Sequence, residues 1–197
     1  MKYLNQLEYP NMPYLTDTDH PGSEFSTGGT VLRAGCGLCS ACMLVDRLTA
    51  ENFSLEECMG LSVSTGANHG VGTDMKLLAP ALAHRFNLIL HTSSDVSELQ
   101  NCLHLGGCAI VNVGGDREGY TGTFSKGGHY ILALSCTDQE ICILDPSYTA
   151  DKYLDEPRAS RIRTKDIWIY CSPEVLAQDA ANRTPSFYLF RRAADLP

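Results

Sequence analysis

The sequence lacks two features that would place it in common classes of protein. It has no apolar run approaching the ~20 residues that a helix needs to cross a bilayer, so we expect no membrane span. Positive charge is also scarce, since 15 Lys and Arg stand against 23 Asp and Glu, a formal net charge of −8. A nucleic-acid-binding protein normally carries a basic patch, whereas the basic clusters here, residues 158–163 and 191–192, are short and are interpreted as exposed faces or ion-pair partners. We therefore expect no nucleic-acid partner.

The start of the chain lacks the apolar core of a secretory signal, although a signal that had been removed would leave the same sequence. Nine cysteines is a high and odd count, so the thiols cannot all pair within the chain. We expect most of them to be reduced, buried and packed like small apolar side chains. This indicates a reducing, cytoplasmic compartment. No pattern in the chain predicts a cofactor.

The first part of the chain shows helical patterns after an irregular lead-in. Residues 1–30 are rich in Pro, Gly, Asp and Ser, which is typical of an extended, loop-dominated segment. Helical spacing with one buried stripe extends over residues 36–48. The capping box of Ser54 and Glu57 predicts a second helix that ends near Leu61.

The second part of the chain is richer in strand patterns. Further helices are predicted at residues 74–86, with a kink or a late start at Pro80, and at 94–106 and 173–181, and strands at 88–90, 108–113, 130–136, 141–144, 167–171 and 187–190. The length favours one domain over residues 1–197. A helical half over about residues 30–106 and a sheet half over about 107–192 make an α+β fold.

Three residues at the edges of predicted elements carry the chemistry of a thiol enzyme. Cys36 stands between two glycines at a helix start, where the positive end of the helix dipole favours thiolate over thiol. His129 opens a predicted strand and Asp145 closes the next. Because residues 137–140 form a turn between these strands, pairing as a hairpin brings His129 and Asp145 together at its open end. A thiol nucleophile, a base and a carboxylate that orients the base follow in this order.

A metal site is an alternative use of the same cysteine. Cys36, Cys39 and Cys42 spell C-x2-C-x2-C, which is the start of a ferredoxin-type cluster motif. The fourth position of that motif holds Asp46 here, and the other cysteines show no paired zinc spacing. An iron–sulfur or zinc site is therefore the less favoured hypothesis, and we predict no metal ligands.

Three short motifs, Gly35-Cys36-Gly37, Gly128-His129-Tyr130 and Leu144-Asp145-Pro146-Ser147, resemble those of the C39-like family of papain-fold cysteine peptidases. The resemblance covers roughly residues 3–172. It implies a papain-like fold whose helical part carries the cysteine and whose antiparallel sheet carries the histidine and the aspartate. It also implies Cys36 as nucleophile, His129 as general base and then acid, and Asp145 as the residue that orients His129.

The family also uses a glutamine upstream of the cysteine as a donor to the oxyanion. Gln6 matches this element best, paired with the backbone N–H of Cys36, and Asn11 is the second candidate. In members that are fused to transporters the glutamine lies much closer to the cysteine, and Thr30 occupies that position here. Together with the lack of a predicted membrane span, this difference argues against a fused leader-peptide exporter.

The resemblance implies a hydrolase that cleaves peptide bonds through a thioester on Cys36. Deamidase, isopeptidase and transferase activities share this chemistry and stay open. The expected partner is a peptide or protein substrate. Gly35 and Gly37 are expected to leave room for a substrate backbone, which favours a glycine-containing cleavage site. A catalytically inactive binding domain of the same fold is the main alternative.

Overall fold

The computed structural model describes residues 1–193, in which most of the helices precede most of the strands. The helices are α1 (Glu24–Gly28), α2 (Val31–Ala34), α3 (Cys36–Leu48), α4 (Leu55–Ser64), α5 (Met75–Arg85), α6 (Val96–His104) and α7 (Pro173–Ala180). The strands are β1 (Leu88–Ser93), β2 (Cys108–Val113), β3 (His129–Cys136), β4 (Ile141–Leu144), β5 (Ile162–Lys165), β6 (Trp168–Cys171) and β7 (Phe187–Arg192). The predicted α+β class is confirmed. Within the described residues, the helices are too short or too polar to cross a membrane.

All seven strands form one antiparallel sheet in the order β1-β7-β2-β3-β4-β6-β5. The central strand is β3, and its first residue is His129. The edge strand β1 comes from the part of the chain predicted to be helical, yet it pairs along its full length with β7. The helical and sheet parts of the chain therefore share one sheet.

Helices cover both faces of this sheet. One core joins α3, α4 and α5 to side chains such as Ile110 and Leu132, and the other joins α6 and α7 to side chains such as Ala109, Val111 and Ile131. Successive residues of a strand point to opposite faces, so a strand that is covered on both sides needs apolar residues at every position. This explains the nearly continuous apolar sequences of β2 and β3.

The helix α3 has the predicted bounds but not the predicted single buried stripe. Ten of its 13 residues are buried. The cause is that α3 lies between the sheet and α4, and the N-terminal segment packs over it through Leu4. A helix that is enclosed on several sides needs apolar or small residues all round, which explains the run Cys39-Ser40-Ala41-Cys42-Met43.

Residues 1–30 contain more helical structure than the sequence predicts. The prediction of an extended segment over residues 1–30 is wrong for α1, which begins after Ser23, whose hydroxyl accepts a hydrogen bond from the Ser26 N–H at 3.1 Å. A 3-10 turn also covers Gln6–Glu8. The late helix start at Pro80 is wrong as well, since Asp74 caps α5 six residues earlier.

The nine cysteines all lie within the described residues and are free thiols. Six are buried, namely Cys39, Cys42, Cys58, Cys102, Cys108 and Cys171. The expectation that most of them pack as buried side chains is confirmed.

Candidate active site

Cys36 is the first residue of α3 and lies half-buried. Its N-cap is Gly35, which has no side chain to occupy the free N–H groups of the first helical turn. His129 is the side chain that interacts most strongly with the Cys36 thiol, and the backbone N–H groups of Tyr130 and Gly37 also stabilise negative charge on the sulfur. The nucleophile predicted from the sequence therefore has one histidine and two backbone N–H groups near its sulfur.

His129 contacts Asp145 on its other side. Its Nε2 lies 2.7 Å from Oδ1 of Asp145, and both side chains are buried. This contact leaves Nδ1 as the ring nitrogen available to Cys36. The structure thus brings Cys36, His129 and Asp145 into one chain of contacts.

A β-bulge in β3 puts the histidine and the aspartate on the same face of the sheet. Ala133 and Cys136 both pack into the core that α6 and α7 cover, although residues three apart in a regular strand point to opposite faces. The register between β3 and β4 shifts just after Ala133, which accounts for this. Ala133 of β3 pairs with Ile143 of β4. His129 precedes Ala133 by four residues and Asp145 follows Ile143 by two, so both side chains lie on the same face of the sheet as this pair.

Asp145 is fixed by several donors besides His129. Its Oδ1 accepts hydrogen bonds from the backbone N–H and the hydroxyl of Ser147, at 2.8 and 3.0 Å. Its Oδ2 accepts from Lys152 Nζ and Tyr153 Oη, each at 2.5 Å. The sequence did not predict roles for Lys152 and Tyr153, because no periodic pattern links them to Asp145 and only the fold of the segment after β4 brings them back.

The charges of these groups reinforce one another. Burial raises the pKa of the Cys36 thiol, but the hydrogen bond and charge of His129 and the two backbone donors outweigh it, so the pKa lies below its ordinary value. Burial lowers the pKa of His129, but Asp145 and Cys36 raise it to about 9. Burial likewise raises the pKa of Asp145, while His129 and Lys152 hold it well below its usual range. The arrangement favours a thiolate beside an imidazolium at neutral pH.

Gln6 lies in the same cavity as Cys36 despite the long segment between them. Its backbone N–H donates to the carbonyl of Pro146 at 2.7 Å, which ties it to the residue after Asp145. Its Nε2 donates to the carbonyl of Leu32 at 2.7 Å and carries a second hydrogen. Its Oε1 is buried without a partner in the described residues. The other candidate, Asn11, is exposed and is not among the residues that line the cavity.

The cavity has a volume of about 620 Å³. Cys36 and His129 lie in it together with Gln6. The rest of its wall includes Gly72, Thr73, Asn112, Gly128, Arg183 and Tyr188. This volume falls within the range of about 300–1,000 Å³ that is typical of ligand-binding pockets.

The two glycines beside Cys36 do not provide the room for substrate that the sequence predicts. A Cβ on Gly37 would lie 2.8 Å from Cβ of Thr73, and one on Gly35 would lie 2.5 Å from the Val31 carbonyl oxygen. Both glycines are buried. They allow close packing of α3 against its neighbours, so they give no support to a glycine-containing cleavage site.

The three cysteines of the C-x2-C-x2-C motif have different surroundings. Cys36 contacts His129, whereas the Cys42 thiol donates to the carbonyl of Ser54 at 3.5 Å. Burial raises the pKa of the Cys39 thiol. In residues 1–193 no three His, Cys, Asp or Glu side chains are grouped as metal ligands. Of the three cysteines, Cys36 therefore belongs to the candidate site, whereas Cys39 and Cys42 belong to the hydrophobic core.

No family model matches this sequence, and a search of curated proteins finds no match. Any assignment of function therefore depends on the geometry of the site and on the motif resemblance.

Proposed function

We propose that this protein is a cysteine-dependent hydrolase of the C39-like, papain-fold type, which cleaves peptide bonds in a peptide or protein substrate. The observation that carries the proposal is the chain of contacts from Cys36 through His129 to Asp145 at the edge of a substrate-sized cavity. A half-buried thiol with a lowered pKa beside a histidine is uncommon outside catalytic and redox sites.

The mechanism begins with the thiolate–imidazolium pair. The Cys36 sulfur attacks the carbonyl carbon of the scissile amide, and the carbonyl oxygen takes the negative charge. The imidazolium of His129 then gives its proton to the leaving nitrogen as the C–N bond breaks, which leaves a thioester on Cys36. Water next attacks the thioester and gives a proton to His129, and the released thiolate restores the pair.

Asp145 and Gln6 support these steps. Asp145 accepts from Nε2 of His129, which keeps Nδ1 directed at the sulfur and stabilises the imidazolium. The second hydrogen on Nε2 of Gln6 and the backbone N–H of Cys36 are the proposed donors to the oxyanion. The bond from Gln6 to the Leu32 carbonyl holds that amide in place.

Competitive alkylation tests the proposal. The protein is treated with limiting iodoacetamide at pH about 6, where an ordinary thiol with a pKa near 8.5 is almost fully protonated, and each cysteine is followed by mass spectrometry. We expect Cys36 to react well ahead of Cys136 and Cys142, the other two partly exposed thiols. His129→Ala should remove this lead. Equal reaction of all three thiols would contradict a catalytic cysteine.

A peptide library tests the reaction itself. Peptides from a digested proteome are incubated with the wild type and with Cys36→Ser, and new termini are identified. Peptide hydrolysis predicts termini that require Cys36. Labelling of Cys36 without any such termini would contradict peptidase activity and favour another thioester reaction or a binding role.

A further inference from the structure

Arg183 is an arginine on the wall of the candidate active site whose guanidinium has no hydrogen-bond or ion-pair partner in residues 1–193. Arg183 lies in the loop between α7 and β7 and is half-buried. Its Nε is inaccessible to solvent and has no hydrogen-bond acceptor in the described residues, and no ion pair to its guanidinium is present there either. A guanidinium without an acceptor is costly when it is partly buried. Nη1 and Nη2 are not among the buried unpaired atoms, so a ligand in the cavity can accept from these two groups.

The guanidinium is held close to the catalytic histidine. A Cβ on Gly128 would lie 2.5 Å from Nη2 of Arg183, so the guanidinium packs on the backbone of the residue that directly precedes His129. The loop itself is pinned, because the Ser186 hydroxyl donates to the carbonyls of Ala180 and Arg183 at 3.0 and 2.9 Å. The backbone that carries the arginine is therefore held in place beside this wall.

The other charges of the cavity leave this region positive. Lys76 lies on the rim, and no partner for its ammonium is present in residues 1–193. Arg33 is already paired with Glu24 at 2.6 Å. The one carboxylate that lines the cavity, Asp74, accepts from the backbone N–H of Lys76 at 2.9 Å. A locally positive cavity on a chain of net charge −8 concentrates anionic ligands.

We propose that Arg183 binds an aspartate or glutamate side chain of the substrate close to the scissile bond, so that the enzyme prefers acidic peptides. This inference rests on the proposed function. The planar guanidinium matches a carboxylate with two parallel hydrogen bonds. The absent side chain of Gly128 leaves the space in which the guanidinium sits next to the reacting atoms.

Matched covalent probes test the preference without a known substrate. We would use acetyl dipeptide vinyl sulfones that carry Glu, its neutral isostere Gln, or Lys, at either of the two positions before the reactive group, with glycine at the other. The Cys36 sulfur adds to the vinyl carbon that is bonded to the peptide part, and a proton from His129 goes to the vinyl carbon that is bonded to the sulfone, so nothing leaves. The measured quantity is the second-order rate constant for Cys36 labelling.

We expect Glu to react about tenfold faster than Gln at one of the two positions, since a charged hydrogen-bonded pair is replaced by a neutral one. Arg183→Lys should keep part of this ratio, Arg183→Gln should reduce it to about one, and Arg183→Glu should favour the Lys probe. Arg163→Gln, which removes an exposed arginine paired with Glu140 away from the cavity, should leave the ratio unchanged. Equal rates for Glu and Gln at both positions, or a ratio that survives in Arg183→Gln, would overturn the inference.

Labelling by iodoacetamide separates this test from that of the proposed function. Selective labelling of Cys36 in the wild type and in each Arg183 variant shows an intact site, so that an unchanged Glu-to-Gln ratio then counts against the acidic preference alone. If Cys36 is not selectively labelled in the wild type, the proposed function fails and the substrate preference fails with it.

Discussion

The Nε2 of His129 lies 2.7 Å from Oδ1 of Asp145 across two neighbouring strands. The contact depends on a one-residue shift in register between β3 and β4 just after Ala133, because a shift of one residue moves a side chain to the opposite face of a sheet. The bulge therefore makes the contact possible, because it places the side chains of His129 and Asp145 on the same face of the sheet.

Gly37 is predicted to be required for packing rather than for substrate access. Gly37→Ala puts a Cβ 2.8 Å from Cβ of Thr73, and such overpacking typically costs about 1–3 kcal/mol. Gly60→Ala in α4 is the matched control, since nothing lies within 4 Å of the added Cβ and alanine favours an exposed helix by about 0.5–1 kcal/mol. Urea unfolding measures both free energies. If Gly37→Ala is as stable as Gly60→Ala, the close contact with Thr73 is not present in solution.

Lys152 is predicted to moderate the charge that Asp145 presents to His129. Its Nζ lies 2.5 Å from Oδ2 of Asp145 and 2.6 Å from the Ser147 hydroxyl. Lys152→Met removes a positive charge near His129, so the pKa of His129 should rise above about 9. The pH dependence of Cys36 alkylation in the alkaline range reports this pKa, and Lys152→Arg should leave it close to the wild-type value. A lower pKa of His129 in Lys152→Met would be the opposite of what this ion pair implies.

Stability should depend on pH through His129 once the thiol is removed. In Cys36→Ser the main contribution of Asp145 persists, so the pKa of His129 in the folded protein stays above its ordinary 6.5. The folded state then binds a proton that the unfolded chain releases, and the free energy of unfolding falls as the pH rises from about 6.5 toward 9. In the wild type the folded state gains a proton on His129 but loses one from Cys36, so the two effects on the pH dependence of stability oppose each other.

The measurement for this prediction is urea unfolding of Cys36→Ser between pH about 6 and 9. The double variant Cys36→Ser/His129→Gln, treated identically, removes the effect of other titrating groups by subtraction. The difference in unfolding free energy between the two proteins should shrink with rising pH. A difference that is constant or grows would mean that His129 is not held protonated by Asp145.

Gln6 is predicted to act on the transition state and not on the thiolate. With a peptide found in the library experiment, Gln6→Ala should lower kcat/KM by about 10²–10³, the usual cost of losing one oxyanion donor. The alkylation of Cys36 by iodoacetamide forms no oxyanion, so its rate should change little. Asn11→Ala, which alters the exposed second candidate, should leave both rates unchanged. Equal loss in alkylation and in turnover would assign Gln6 a structural role only.

The sequence predicts those parts of the fold that depend on local signals. The capping box of Ser54 and Glu57 is present, with the hydroxyl of Ser54 accepting from the Glu57 N–H at 3.2 Å. The turn over residues 137–140 joins β3 to β4 as the hairpin requires. These features are local, because each residue contacts others a few positions away.

The features that the sequence does not predict depend on contacts between residues that are far apart in the chain. The strand β5 consists of one partly buried isoleucine followed by three exposed polar residues, and only its pairing with β6 defines it as a strand. The positions of Lys152 at Asp145 and of Arg183 on Gly128 result from loops whose course no periodicity encodes. For the same reason the bulge near Ala133 was not predicted, although the candidate site depends on it.

The most direct test of the central claim is the ionisation state of Cys36. The thiolate has an ultraviolet absorption band, at shorter wavelength than the aromatic side chains, that the thiol lacks, so the difference spectrum between the wild type and Cys36→Ser is followed from pH about 4 to 10. A thiolate–imidazolium pair predicts thiolate absorbance well below pH 8.5, the ordinary range of a cysteine, and its loss in His129→Ala. If the absorbance appears only near or above pH 8.5, and His129→Ala leaves it unchanged, Cys36 is an ordinary buried thiol and the catalytic account is contradicted.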